Sequence, residues 1–161
     1  MVNVYARPVA ASDARELHIC AYELLFAALE SDYGCSRRDL DLRKDENGKP
    51  FFANSTLQFS ISHTDGLVVV AIGNCAVGVD CEMCSRVISD RVAMRFLGQQ
   101  QATVADWTSY EALGKMLGCG IPLSKFEADE QHHTMFYHTL AGYTVCCVSK
   151  DEKISDQLKL Y

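Results

Sequence analysis

The stretch Leu67-Val68-Val69-Val70-Ala71-Ile72 constrains the fold more than any other part of the chain. It is a continuous apolar, β-branched run set between the turn signals Asp65-Gly66 and Gly73-Asn74, so it reads as a buried strand. Ahead of it, Leu57-Gln58-Phe59-Ser60-Ile61 alternates apolar and polar residues. Behind it, Ala76 to Cys81 continues as a further strand. Residues 57–81 therefore form a β-rich block. Helices are expected on both sides of this block in sequence. Residues 2–8 read as a short strand, and Asp13 then caps a helix with Glu16 as its capping-box partner. Leu17, Ala21, Leu24, Leu25 and Leu29 follow at helical spacing and the helix fades between Ser31 and Gly34. Asn47-Gly48 is a turn joining short strands around Leu42 and Phe51. Helical period returns over 88–118. Val92, Ala93, Phe96 and Leu97 share a face, a break falls at Gly98-Gln99-Gln100-Gln101, and a second helix covers about 102–117. Residues 121–127 read as extended, and Met135–Leu140 and Tyr143–Val148 as a hairpin turned by Ala141-Gly142.

A chain of 161 residues is about one domain, long enough to bury a core without covalent staples. The net charge of −6 argues against a nucleic-acid partner, which needs a basic face. A local basic cluster remains, with Arg37, Arg38, Arg43, Lys44 and Lys49 in one short polar segment, where an anionic ligand can dock. No apolar run reaches membrane-spanning length and the N-terminus lacks a signal-peptide layout, so a cytoplasmic protein with no membrane contact is expected. Eight cysteines are many, but most lie in apolar stretches such as Thr144-Val145-Cys146-Cys147-Val148, where reduced thiols act as small hydrophobes. Cys81-Glu82-Met83-Cys84 has CxxC spacing without a second ligand pair. A further alternative is a small zinc or redox module built on Cys81 and Cys84.

Candidate chemistry concentrates in three places. Asp80 and Glu82 are two apart on a strand, so both carboxylates leave the same face, about 6.6 Å apart along the chain, while Val79 and Cys81 point into the core. Two such carboxylates repel unless screened, and hard oxygen ligands suit magnesium. The same spacing also describes a solvated strand end. Glu111 and Lys115 share a helix face at i, i+4, which by itself describes an exposed ion pair. Ser62-His63-Thr64 leaves a strand into a turn, where hydroxyls, an imidazole and backbone N–H groups can hold a phosphate. No G-x-S-x-G elbow is present, and adjacent Ser62 and His63 point apart, so a serine nucleophile is not expected.

Taken in order, Gly48-Lys49-Pro50, Phe59-Ser60-Ile61-Ser62-His63, Gly78-Val79-Asp80-Cys81-Glu82 and Trp107 through Lys115 resemble the motif set of the surfactin-type 4′-phosphopantetheinyl transferases, over roughly residues 12–127. The resemblance implies an α/β (α+β) fold: a pseudo-dimer of two similar half-domains, each a helix packed on a small, mostly antiparallel sheet, divided at about 1–84 and 85–161. It implies an enzyme that moves the phosphopantetheine arm of coenzyme A onto a serine of an apo acyl or peptidyl carrier protein. By the same resemblance, Asp80, Glu82 and Glu111 hold Mg2+, Glu111 and Lys115 are catalytic, Lys49 and Pro50 lie along adenosine, and Ser62 and His63 bind its 3′-phosphate. A monomer is expected. Tyr110 stands where that family usually has lysine, and the segment ahead of the first helix is shorter. These departures motivate the alternative of a coenzyme A-binding protein of the same fold with impaired catalysis.

Overall fold

The β-branched run becomes the strand β5 (Leu67–Gly73), buried along its whole length in the computed structural model. The structure describes residues 1–119 and 133–161. β5 lies inside a four-stranded sheet ordered β4-β5-β1-β9, with β1 (Val2–Pro8), β4 (Gln58–Thr64) and β9 (Ile154–Leu160). β4 and β1 flank it in antiparallel register, and β9 joins the far side of β1 in parallel. Because side chains alternate faces along a strand, β5 serves two cores. Val68, Val70 and Ile72 pack with Tyr5 and Phe59 against the helix α1 (Ala14–Tyr33), whose buried stripe is Leu17, Ala21, Leu24, Leu25, Ala28 and Leu29. Asp13 caps the helix as expected, its Oδ1 accepting from the N–H groups of Arg15 and Glu16, but among the described residues the Glu16 side chain does not return a bond to complete the expected capping box. Gly34 closes the helix in the left-handed region at φ 63°.

Leu67, Val69 and Ala71 face the other way, with Val2, Val4 and Ala6, onto a second sheet. That sheet is ordered β6-β8-β7, from β6 (Val77–Met83), β7 (His133–Leu140) and β8 (Tyr143–Lys150). Val77, Val79 and Cys81 of β6 and Val145 and Cys147 of β8 complete the core between the sheets. The outer face of this second sheet carries the helix α3 (Val104–Leu117), through Ala112 and Met116 against Cys146 and Val148. The layers run helix, sheet, sheet, helix. Thr103 and Asp106 form a reciprocal capping box at the start of α3. Ahead of α3, a short helix α2 (Asp90–Val92) runs into a π-helical turn over Ala93–Leu97, which Gly98 stops at φ 68°. The small hairpin of β2 (Leu42–Lys44) and β3 (Pro50–Phe52) is turned at Asn47-Gly48, as expected.

Two sheet assignments matter for the site. β6 precedes the expected division at residues 84 and 85, yet it is hydrogen-bonded to β8. Its other edge meets β4 through side chains: Ser60 Oγ and Ser62 Oγ accept from the N–H groups of Val79 and Cys81 at 3.0 and 3.3 Å. The extended reading of residues 121–127 lies outside the described residues. No helix among the described residues is long and apolar enough to cross a membrane.

Candidate metal and phosphate site

Alternation along β6 decides the first half of the site. Val79 and Cys81 turn into the core between the sheets, so Asp80 and Glu82 turn toward β4 and α3. They are not a solvated strand end: Asp80 is 2% and Glu82 7% exposed. The second half comes from α3, which approaches β6 closely because residue 78 is glycine. A Cβ at Gly78 would stand 1.9 Å from the Ala112 carbonyl oxygen. That approach delivers Glu111 and Lys115 to β6. Asp80, Glu82 and Glu111 each offer a carboxylate oxygen, and these atoms lie within 4.8 Å of one another.

Lys115 does not pair with Glu111, as the i, i+4 spacing alone would have it. Its Nζ donates to Asp80 Oδ1 at 2.7 Å and to Ser62 Oγ at 2.9 Å, and Ser62 Oγ donates to the same Asp80 oxygen at 2.8 Å. The other oxygen, Asp80 Oδ2, is buried with no hydrogen-bond partner among the described residues when Glu111 is ionised; a protonated Glu111 carboxyl would donate to Asp80. A buried, unpartnered carboxylate oxygen carries a desolvation cost that a cation would offset. With three carboxylates around it, the donor set fits a hard divalent ion. Arg86 NH1 contacts Glu82 Oε1, and its guanidinium lies over the Trp107 ring at 5.5 Å.

The electrostatics follow from burial. Burial first, and then the negative charge of Asp80, raise the Glu111 carboxyl from 4.5 to about 7, against the opposing pull of Lys115 and Arg86. Burial pushes the His63 imidazole below its usual value, and the charges of Lys115 and His18 act in the same direction. Because Glu111 keeps in the fold a proton that the unfolded chain has released above about pH 4.5, its contribution to stability is fullest below that pH. The contribution is lost as pH rises toward 7. In chelator, the melting temperature of Glu111→Gln minus that of the wild type is therefore expected to grow between pH 4.5 and 7.5. Parallel pH curves for the two proteins would show that Glu111 titrates normally.

A cleft of about 330 Å³ opens on this cluster, lined by Ser62, His63, Asp80, Glu82, Glu111 and Lys115 on one side and His18, Tyr22, Lys44, Gly48 and Pro50 on the other. A second hollow of about 270 Å³ continues past Pro50 and Lys115 along Lys49, Phe59, Ser60, Gly114 and Gly118. Lys49, Pro50, Ser62, His63, Asp80, Glu82, Glu111 and Lys115, the residues to which the family resemblance gives a role, thus each line one or both hollows. Lys49 contributes differently from a free ligand-binding lysine, because its ammonium donates to the Met116 and Val77 carbonyls. Of the basic cluster, Lys44 reaches the cleft, Arg43 pairs with Asp41, and Arg37 stacks on Phe26. Three lining or supporting residues escaped the sequence reading. His18 and Tyr22, ring to ring at 5.0 Å, lie off the buried stripe of α1 and read as surface. Arg86 follows the end of β6, where no periodicity points.

The CxxC pair does not converge. Cys81 lies in the core between the sheets with its thiol pushed up to about 12 by burial, while Cys84 is exposed. All eight cysteines are free thiols.

Fold and site together define an α/β protein with a cleft on which three carboxylates and a lysine converge. Among curated proteins, the 4′-phosphopantetheinyl transferase gsp of Aneurinibacillus migulanus is 36% identical over 112 residues, a match that covers 59% of this chain and 46% of that protein. The chain spans about half the length of this relative. No family model matches the chain. The resemblance to the surfactin-type phosphopantetheinyl transferases drawn from the motifs is borne out by this relative.

Proposed function

We propose that the chain is a magnesium-dependent transferase that moves the 4′-phosphopantetheine arm of coenzyme A onto a serine of an apo carrier protein. One observation carries this reading: Asp80 and Glu82 from a strand and Glu111 and Lys115 from a helix meet at the floor of one cleft. Asp80, Glu82 and Glu111 would hold Mg2+, which when bound neutralises pyrophosphate charge. Lys115, fixed by Asp80 and Ser62, presents its ammonium to the phosphoryl oxygens. Ser62 and His63 sit where a strand ends and would receive the 3′-phosphate. Gly48, the stem of Lys49, and Pro50 form the wall along which adenosine would lie. Glu111 accepts the proton of the carrier serine hydroxyl. The serine oxygen then bonds to the β-phosphorus as the bond to the bridging oxygen breaks, and adenosine 3′,5′-bisphosphate leaves. The nucleophile belongs to the partner, in keeping with the lack of a serine elbow in this chain.

Two units of strand, helix and hairpin, β1-α1-β4-β5 and β6-α3-β7-β8, support the reading as two similar half-domains. A division ahead of β6 fits the sheet pairing better than one near residue 84. Eight unpaired thiols support a reducing, cytoplasmic setting.

The test is the intact mass of several apo carriers after incubation with the protein, coenzyme A and Mg2+. Gain of the phosphopantetheine mass is expected, and its loss in Glu111→Gln at unchanged circular dichroism. No gain on any carrier, with coenzyme A binding intact by calorimetry, would instead support the catalytically impaired alternative.

A further inference from the structure

We infer that Lys49 is a positioning residue: its ammonium pins the β2–β3 wall of the cleft to the last turn of α3 and the first residue of β6. The turn that carries it is itself fixed, since Asp45 Oδ1 accepts from the N–H groups of Asn47 and Lys49 at 2.9 and 2.8 Å. From there the stem passes Gly118, where an added Cβ would lie 3.4 Å from Lys49 Cδ. Nζ then donates to the Met116 carbonyl at 2.9 Å and to the Val77 carbonyl at 3.4 Å. The last four carbonyls of a helix have no partner within it, and they form the negative end of its dipole. At the end of α3 the N–H of Gly118 goes to Gly114 and Lys115, and that of Cys119 to Gly114, so among the described residues it is Lys49 that donates to the Met116 carbonyl. Met116 follows Lys115 directly, and Val77 precedes Gly78, where helix and strand touch. One ammonium therefore ties together three pieces of the cleft: the hairpin wall, the strand bearing Asp80 and Glu82, and the helix bearing Glu111 and Lys115. Burial of this amine, which lowers its pKa with only Asp45 and the Cys119 thiol opposing, agrees with an internal fastening.

This inference deepens the transferase reading and its kinetic arm rests on that reading, but its first readout does not. Lys49→Met keeps the stem and removes the charge and the donors. In the protein alone, amide hydrogen exchange at residues 115–119 is expected to accelerate and the melting temperature to fall, with both restored by Lys49→Arg. In the transfer assay, run well below the melting temperature, kcat is expected to fall roughly tenfold with the KM for coenzyme A near the wild-type value, since a small misplacement of catalytic groups acts on kcat. If Lys49→Met does not fold, Lys49→Gln carries the same readouts. Unchanged exchange and melting overturn the inference, as does a raised KM at unchanged kcat, the signature of a lysine that binds ligand. The exchange result stands whether or not transfer is detected.

Discussion

Gly78→Ala is expected to destabilise the protein by about 3 kcal/mol or more, at the upper end of the cost of overpacking a core. The new methyl carbon would stand 1.9 Å from the Ala112 oxygen and 2.5 Å from the Met116 nitrogen, both backbone atoms of α3 that cannot rotate away. The helix must retreat, taking Glu111 and Lys115 from Asp80 and Glu82. Trp107, the sole tryptophan, rides buried on the same helix, so its emission should shift to the red as the urea midpoint falls. A variant with wild-type stability and emission would show that β6 and α3 are farther apart than described. A loss of this size is a large share of the 5–15 kcal/mol that holds a typical domain together.

Asp80→Asn is expected to reduce transfer by at least about 100-fold, more than is typical for losing a supporting group around a metal. The side chain is nearly isosteric, so its shape is kept while its charge is lost. Lys115 would then face Ser62 and an amide in place of a carboxylate. Removing one partner of a buried pair is costly, but the Lys115 side chain is 33% exposed. The stability loss is accordingly placed at about 1–3 kcal/mol, between the buried and the exposed limits. Steady-state rates with saturating coenzyme A, alongside thermal unfolding, separate the two effects. Wild-type rates in Asp80→Asn would remove the acid cluster from the chemistry.

How far the residues alone carried the account depended on whether a local period encoded the feature. The buried stripe of α1, the cap at Asp13, the turn at Asn47-Gly48 and the all-apolar β5 are written in nearest-neighbour patterns, and they stand where those patterns place them. So does the shared face of Asp80 and Glu82. What no local pattern holds is the pairing between distant segments. The i, i+4 spacing of Glu111 and Lys115 describes two neighbours on one helix, yet Lys115 turns to Asp80, 35 positions away. β9 pairs in parallel with β1 across nearly the whole chain, and Ile154-Ser155-Asp156-Gln157-Leu158-Lys159-Leu160 has no clean alternation to announce it. The close approach at Gly78 is invisible until a helix lies on it. The burial of the three acids, which turns an ordinary acidic pattern into a site, follows from that same approach.

The most direct measurement is calorimetric titration of Mn2+ or Mg2+ into the protein in the presence of coenzyme A. One divalent ion per chain is expected, with binding lost in both Asp80→Asn and Glu111→Gln, since a strand and a helix each supply part of the ligand set. A wild-type protein that takes up no ion, or variants that bind it as the wild type does, would contradict the claim that these carboxylates form one cation site.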